Sequence, residues 1–265
     1  RLPSEETDLH AFWVDYLVGR DRSVGIELLT ASNAYRNLMA EQIAALELGP
    51  DQRVVDLGSG TGSFALGLAA WPERPSGLRV TAFDYVEDAL RRSRSRVAAR
   101  PGGADFVFEC AEANLNLLAR GQHIPVADGG ADRVLASLLL SYLEVPTRLL
   151  EEAFRILRPG GRLVISSLCR DADISGLYVE AYAELQAGDA VAALPELQAL
   201  ELGDLARNFL NDAAKILEFE DSGAFHFWEP DELADIVRAC GFQDVRTLRS
   251  LGTPPQAVVL AALRP

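Results

Sequence analysis

Lysine is almost absent from this chain. Its 265 residues include a single lysine, Lys215, and carry a formal net charge of −14 at pH 7. A nucleic-acid backbone calls for clustered cations, so this balance argues against DNA or RNA as a partner. Long apolar runs are also missing: no stretch of eighteen or more apolar residues occurs, which excludes a membrane-spanning helix. The three cysteines, Cys110, Cys169 and Cys240, are odd in number, far apart and without C-x-x-C spacing. They are expected to be free thiols in a reducing compartment, with the cytoplasm as the default localisation. The three histidines, His10, His123 and His226, do not combine with cysteine or carboxylate at metal-ligand spacing, so no metal site is expected. The chain opens on Arg1 with no charged-then-apolar leader, so a few native residues are expected to have been removed or left out. No internal repeat or low-complexity segment is visible.

The length suits one α/β domain with additions, and about half the residues are apolar. The most informative stretch is Val54-Val55-Asp56-Leu57-Gly58-Ser59-Gly60-Thr61-Gly62-Ser63-Phe64. An apolar run ending in an acid, followed by three alternate glycines, predicts strand, tight turn and helix. Glycine belongs where the backbone takes positive φ or where a ligand approaches the amides closely. A dinucleotide fingerprint would place its third glycine at position 63, which is Ser63, and would lack the acid ending the first strand. The spacing D-x-G-x-G-x-G instead resembles motif I of the class I S-adenosylmethionine (SAM) methyltransferases.

Residues 1–50 read as two or more amphipathic helices, with Leu9, Phe12, Trp13, Tyr16 and Leu17 on one face and Tyr35, Leu38, Met39, Ile43 and Leu46 on another. They cover the sheet, or Tyr16, Asn33 and Tyr35 reach over the mouth of the site, as N-terminal helices do in the small-molecule methyltransferases this layout resembles. Arg53 to Leu57 is the first strand and Ser63 to Ala70 the first core helix. The second strand, Arg79 to Phe83, ends in Asp84-Tyr85, twenty-eight residues beyond Asp56. One carboxylate there accepts from two ribose hydroxyls, with Tyr85 or Val86 on the adenine face; alternatively Asp84 caps the helix that begins at Glu87. Phe106 to Ala111 is the third strand. Related enzymes place an Asp-Ala pair after it; here Cys110-Ala111 matches by counting and Glu112-Ala113 by chemistry, and we take the Ala111 backbone with the Glu112 side chain.

Asp132 to Ser137 is the fourth strand, and its end, at Ser137 and Leu138, lines the crevice where strand order reverses. The Asn/Asp-Pro-Pro-aromatic signature of nucleic-acid amino methyltransferases is absent here, which removes that branch. Tyr142 points into an acceptor cavity or joins the core. Arg148 to Leu157 is helical, the turn Arg158-Pro159-Gly160-Gly161 ends it, and Arg162 to Ser167 is the fifth strand. Between Cys169 and Glu229 the alternation gives way to about sixty acidic, helix-prone residues, including Ile174 to Gln186 and Leu202 to Leu217. Pro230 to Cys240 is the last helix, and Val245 to Arg249 with Ala257 to Leu263 forms a closing hairpin, bringing the strands to seven.

The resemblance runs from Tyr35 to Leu263, leaving out the insertion, and is nearest to the ubiquinone and menaquinone biosynthesis methyltransferases. It implies an α/β fold: a Rossmann-like, seven-stranded, mostly parallel sheet with an antiparallel last strand, helices on both faces and an added helical lid. Residues 1–50 would cap the site, 51–168 and 230–265 would form the SAM-binding core, and 169–229 would be the acceptor lid. SAM is the implied cofactor and S-adenosylhomocysteine the product. The loop Gly58, Ser59, Gly60 and Gly62 would hold the methionine portion, oriented by Asp56. Asp84, Tyr85, Ala111, Glu112, Ser137 and Leu138 would complete the cofactor site, and Tyr16 and Tyr35 would contact a small-molecule acceptor. His226 and Tyr142 are the candidate catalytic groups. Methylation of oxygen, nitrogen or carbon is left open, as are SAM-dependent chemistry of another kind, a non-catalytic module and the oligomeric state. The surplus acid of the lid would attract a cationic acceptor, or serve solubility alone.

Overall fold

A computed structural model describes residues 3–18, 26–170, 172–187, 221–223 and 225–265, and the single positions 207, 211, 214, 215 and 218. Most of the expected helix from Leu202 to Leu217 lies outside the described residues.

Three helices lead in: α1 (Pro3–Val18), α2 (Glu27–Ala31) and α3 (Asn33–Leu46). Ser32 caps α3 by accepting from the Tyr35 N–H at 3.2 Å, and the predicted stripe Leu38, Met39, Ile43, Leu46 is buried on the sheet. The core follows as β1 (Arg53–Leu57), α4 (Ser63–Ala69), β2 (Arg79–Asp84), α5 (Glu87–Ala98), β3 (Val107–Glu112) and β4 (Ala131–Ala136). Then come α6 (Pro146–Ile156), β5 (Leu157–Leu168), α7 (Ile174–Gln186), α8 (Pro230–Ala239), β6 (Gln243–Ser250) and β7 (Ala257–Leu263).

The sheet order is β3-β2-β1-β4-β5-β7-β6. The first five strands are parallel, while β7 runs antiparallel to both β5 and β6. Buried on both faces, β7 reads as the uninterrupted apolar run Ala-Val-Val-Leu-Ala-Ala-Leu. One apolar cluster, with residues of α1 to α5 and α7, covers one face, and a second, with residues of α6 and α8, covers the other.

Several boundaries differ from expectation by a few residues, two of them for a clear physical reason. Helix α6 starts at Pro146 rather than Arg148, because proline suits a first helical turn and Val145 before it is non-helical. The segment Leu157–Gly161 joins β5 as an irregular start, its register against β4 shifting between Ala131 and Arg133. The Gly160 N–H donates to the Arg264 carbonyl at 2.8 Å, tying this start to the chain beyond β7. Among the described residues no helix is long and apolar enough to cross a membrane.

Candidate active site

Strand order reverses between β1 and β4, and the loops at their carboxyl ends enclose a cavity of about 1140 Å³ including its open mouth. Its floor is the glycine turn. Gly58, Gly60 and Gly62 have φ of 69°, 52° and 90°, and a Cβ on Gly58 would lie 2.7 Å from Leu139 Cδ1. The left-handed conformation therefore favours glycine there, and the absence of a Cβ lets the Leu139 side chain pack against the turn. The N–H groups of Gly58 and Ser59 both donate to the Phe83 carbonyl, at 2.8 and 3.0 Å, anchoring the turn on β2. Asp84, buried at the end of β2, accepts from the Gly60 N–H at 2.8 Å and the Val86 N–H at 3.0 Å.

Burial raises the Asp84 carboxyl above its ordinary range, against the pull of backbone donors at Val86, Gly60 and Tyr85. Asp56, fully buried beneath the turn, is pushed up to about 8, first by burial and then by the charge of Asp84. The Tyr35 phenol is raised mainly by burial, while hydrogen bonds with Ser63 and Ser137 oppose the shift. Gln42 Nε2 donates to Ser137 Oγ at 3.0 Å, joining α3 to the end of β4.

Of the residues expected from the sequence, the cavity wall includes Gly58, Ser59, Gly60, Asp84, Tyr85 and Ser137 at one end, with Leu138, Tyr142, Tyr16 and Tyr35 continuing it. Others stand outside it. Asp56 lies under the turn, and Gly62 starts α4 against Ser93. Strand β3 continues to Glu112, which pairs with Asp84 in register and is exposed, so the wall is taken up by Ala113, Asn114, Leu115 and Asn116 in place of Ala111 and Glu112. His226 is exposed between buried Phe225 and Phe227, its N–H donating to the Ser141 carbonyl at 2.9 Å. An extended segment sends alternate side chains to opposite sides, and here the phenylalanines took the inner one. Asn33 is exposed, its N–H donating to Glu184 Oε2 of α7 at 2.8 Å.

Not every feature of the wall was expected from the sequence. Ile174, Leu177 and Tyr178 of α7 line it, and with Ala181 they form a buried stripe at three- and four-residue steps, a signal that was present in the sequence. Leu138 and Leu251 line it with left-handed backbone, φ 51° and 68°. Nothing in a leucine announces that conformation, which the Ser166 hydroxyl supports at Leu138 by accepting its N–H at 2.9 Å.

The sheet order, the glycine turn beneath a buried strand-end carboxylate and the antiparallel β7 define a class I methyltransferase domain. The chain belongs to the methyltransferase domain family, whose family model matches residues 31–247. It is 34% identical over 158 residues to a malonyl-[acyl-carrier protein] O-methyltransferase from Methylococcus capsulatus, covering 55% of this chain and 51% of that protein. It is 36% identical over 114 residues to a demethylmenaquinone methyltransferase from Clavibacter sepedonicus, covering 43% of this chain and 40% of that one. The chain thus spans about half the length or less of these curated relatives. The fold is shared with phosphoethanolamine N-methyltransferase 2 of Haemonchus contortus, solved with SAM, at a TM-score of 0.59 and 14% identity, over 97% of this chain and 60% of that one. The site here fits the same cofactor: a glycine turn whose backbone lines the cavity, a carboxylate in the wall, and a Ser59 hydroxyl buried with no hydrogen-bond partner.

Proposed function

We propose that this chain transfers a methyl group from SAM to a small-molecule acceptor, and that nucleic acid is not its substrate. One observation carries the proposal: a single cavity joins the glycine turn and Asp84 to a mostly apolar chamber roofed by residues of α1 and α7. Bound SAM would supply a methyl on cationic sulfur; the acceptor's electron pair takes the methyl, the sulfur keeps the bonding pair, and any acceptor proton leaves to water.

The chain's own part is to hold and align. Asp84 would accept from the two ribose hydroxyls, the Gly58 to Gly60 backbone would face the methionine end, and Tyr85 would pack on adenine. The position of Ala113 and Asn114 in the wall favours them over Ala111 and Glu112 beside the adenine edge. Tyr142, whose ring lies 4.9 Å from Trp13 and 4.8 Å from Phe225, would meet the acceptor. Of the expected cap (1–50) and lid (169–229), α1 and α7 would close over the acceptor, while 19–25 and 188–206 lie outside the described residues. Alignment with exclusion of water can supply roughly 7–11 kcal/mol of such a barrier. The exposed His226 has no place in this scheme.

The test is calorimetry with S-adenosylhomocysteine at up to millimolar concentration, followed by transfer from methyl-labelled SAM. Binding and a labelled product of the mass of the acceptor plus one methyl are expected. Absence of binding would overturn the proposal, and a product of any other mass would point to a SAM enzyme of different chemistry.

A further inference from the structure

Ser137, the residue that follows β4 into the cavity wall, is bonded from behind by α3. Gln42, with 0% of its surface exposed, donates from Nε2 to Ser137 Oγ at 3.0 Å, while its own Oε1 is buried with no hydrogen-bond partner. An amide oxygen stranded away from water costs stability, and a leucine there would continue the buried stripe of Leu38, Ile43 and Leu46 without that cost. Packing therefore does not account for Gln42, and its bond to Ser137 does. Tyr35, seven residues earlier on the same buried face of α3, brings its phenol within hydrogen-bonding reach of Ser137 and of Ser63, the residue that follows the glycine turn. Tyr35, Ser63 and Ser137 all line the cavity.

Resting on the methyl-transfer reading, we propose that Gln42 is a positioning residue for the cofactor's amino-acid end: acting through Ser137, it turns the Tyr35 phenol into a hydrogen-bond donor to the carboxylate there. The chain of groups has a direction. An amide N–H only donates, so Gln42 occupies a lone pair of Ser137 Oγ and leaves the Ser137 O–H to be given to the phenol oxygen. A phenol that accepts from Ser137 keeps its own proton for another partner. Without cofactor, Ser63 offers an acceptor beside it. With the cofactor's amino-acid end against the glycine turn, a carboxylate is the stronger acceptor, because a bond to an ionised group exceeds one between neutral groups. Burial holds the phenol above its ordinary value, so the proton to be donated stays in place. Tyr35 is thereby assigned to the cofactor rather than to the acceptor.

The test is calorimetry with three ligands that share one adenosyl thioether: S-adenosylhomocysteine, S-adenosyl-3-thiopropylamine, which lacks the carboxylate, and methylthioadenosine, which lacks the amine as well. Tyr35→Phe should weaken S-adenosylhomocysteine by roughly tenfold or more, the worth of a hydrogen bond to a charged group. Gln42→Met and Ser137→Ala should each weaken it by roughly two- to tenfold. All three variants should bind the two carboxylate-free ligands within about twofold of wild type. Because Gln42 acts through the phenol, Gln42→Met added to Tyr35→Phe should weaken S-adenosylhomocysteine no further. A merely structural role would weaken all three ligands alike and overturn the assignment, and so would additive effects in the double variant or an unchanged affinity in Gln42→Met. If Gln42→Met does not fold, Ser137→Ala decides by the same comparison, since it breaks the same link. Failure of S-adenosylhomocysteine to bind the wild-type protein would instead sink the methyl-transfer reading.

Discussion

Asp84 is held by backbone donors of the chain and would take further hydrogen bonds from the cofactor. Its carboxylate accepts the Gly60 and Val86 N–H groups at 2.8 and 3.0 Å, so the acid that would meet the ribose also holds the turn beneath it. Asp84→Asn keeps the shape and one acceptor oxygen but loses the charge. Hydrogen bonds to charged groups contribute about 1.5–3 kcal/mol, so affinity for S-adenosylhomocysteine should fall roughly 10- to 150-fold in calorimetry. An affinity unchanged within twofold would remove Asp84 from the binding site. This residue was legible in the sequence because an acid at a strand end, in register with a glycine turn, has few other uses. His226 shows the opposite case. Its position in the chain brings it to the end of the insertion, but which side of an extended segment faces inward is decided by where Phe225 and Phe227 bury, and that is a tertiary fact.

At the level of elements, the turn between β1 and α4 is locked to α5 by a close approach. A Cβ built on Gly62, at φ 90°, would come within 2.2 Å of Ser93 Oγ and 3.0 Å of Ser93 Cβ. Gly62→Ala should therefore destabilise the fold by about 1–3 kcal/mol through strain at this φ, plus the clash. Ser93 Oγ is buried and at most weakly bonded, to the Cys110 thiol, so Ser93→Ala alone should lie within about 1 kcal/mol of wild type. The double variant should be more stable than the sum of the single effects predicts, because removing the hydroxyl relieves the 2.2 Å contact but not the backbone strain. Urea unfolding of the four proteins measures this coupling, and strict additivity would mean that the two elements do not press on each other.

The strands and core helices were readable because each carries a local signature: the apolar run of β1, the glycines after it, the proline and acids opening α8. The joins were less so. Whether Leu157–Gly161 forms a turn or the start of β5 depends on β4 and Arg264 lying alongside, and the left-handed leucines at 138 and 251 depend on the walls they complete. The cavity's outer half is contributed by α1 and α7, elements far apart in the chain, so their meeting at Tyr16 and Tyr178 could not be inferred from either alone.

For the whole molecule, the fold places two carboxyls, Asp56 and Asp84, at adjacent strand ends under one apolar lining, and pH should report it. Asp56 is held at about 8 in the folded chain against 3.8 for the ordinary carboxyl. Between those values the folded state keeps a proton that the unfolded state has released, so folding binds a proton and stability falls as pH rises. The contribution is fully present below about pH 4 and lost as pH passes through 8, at a limiting rate of about 1.4 kcal/mol per pH unit for one group. Asp56→Asn has no proton to lose, so its stability should lack this component. The gap in unfolding free energy between wild type and Asp56→Asn should therefore shift in favour of the variant as pH rises from 5 to 8.5, the coupled titration of Asp84 being part of that difference. A gap constant over that range would show that Asp56 is already ionised at pH 5, and that its surroundings stabilise the charge more than burial penalises it.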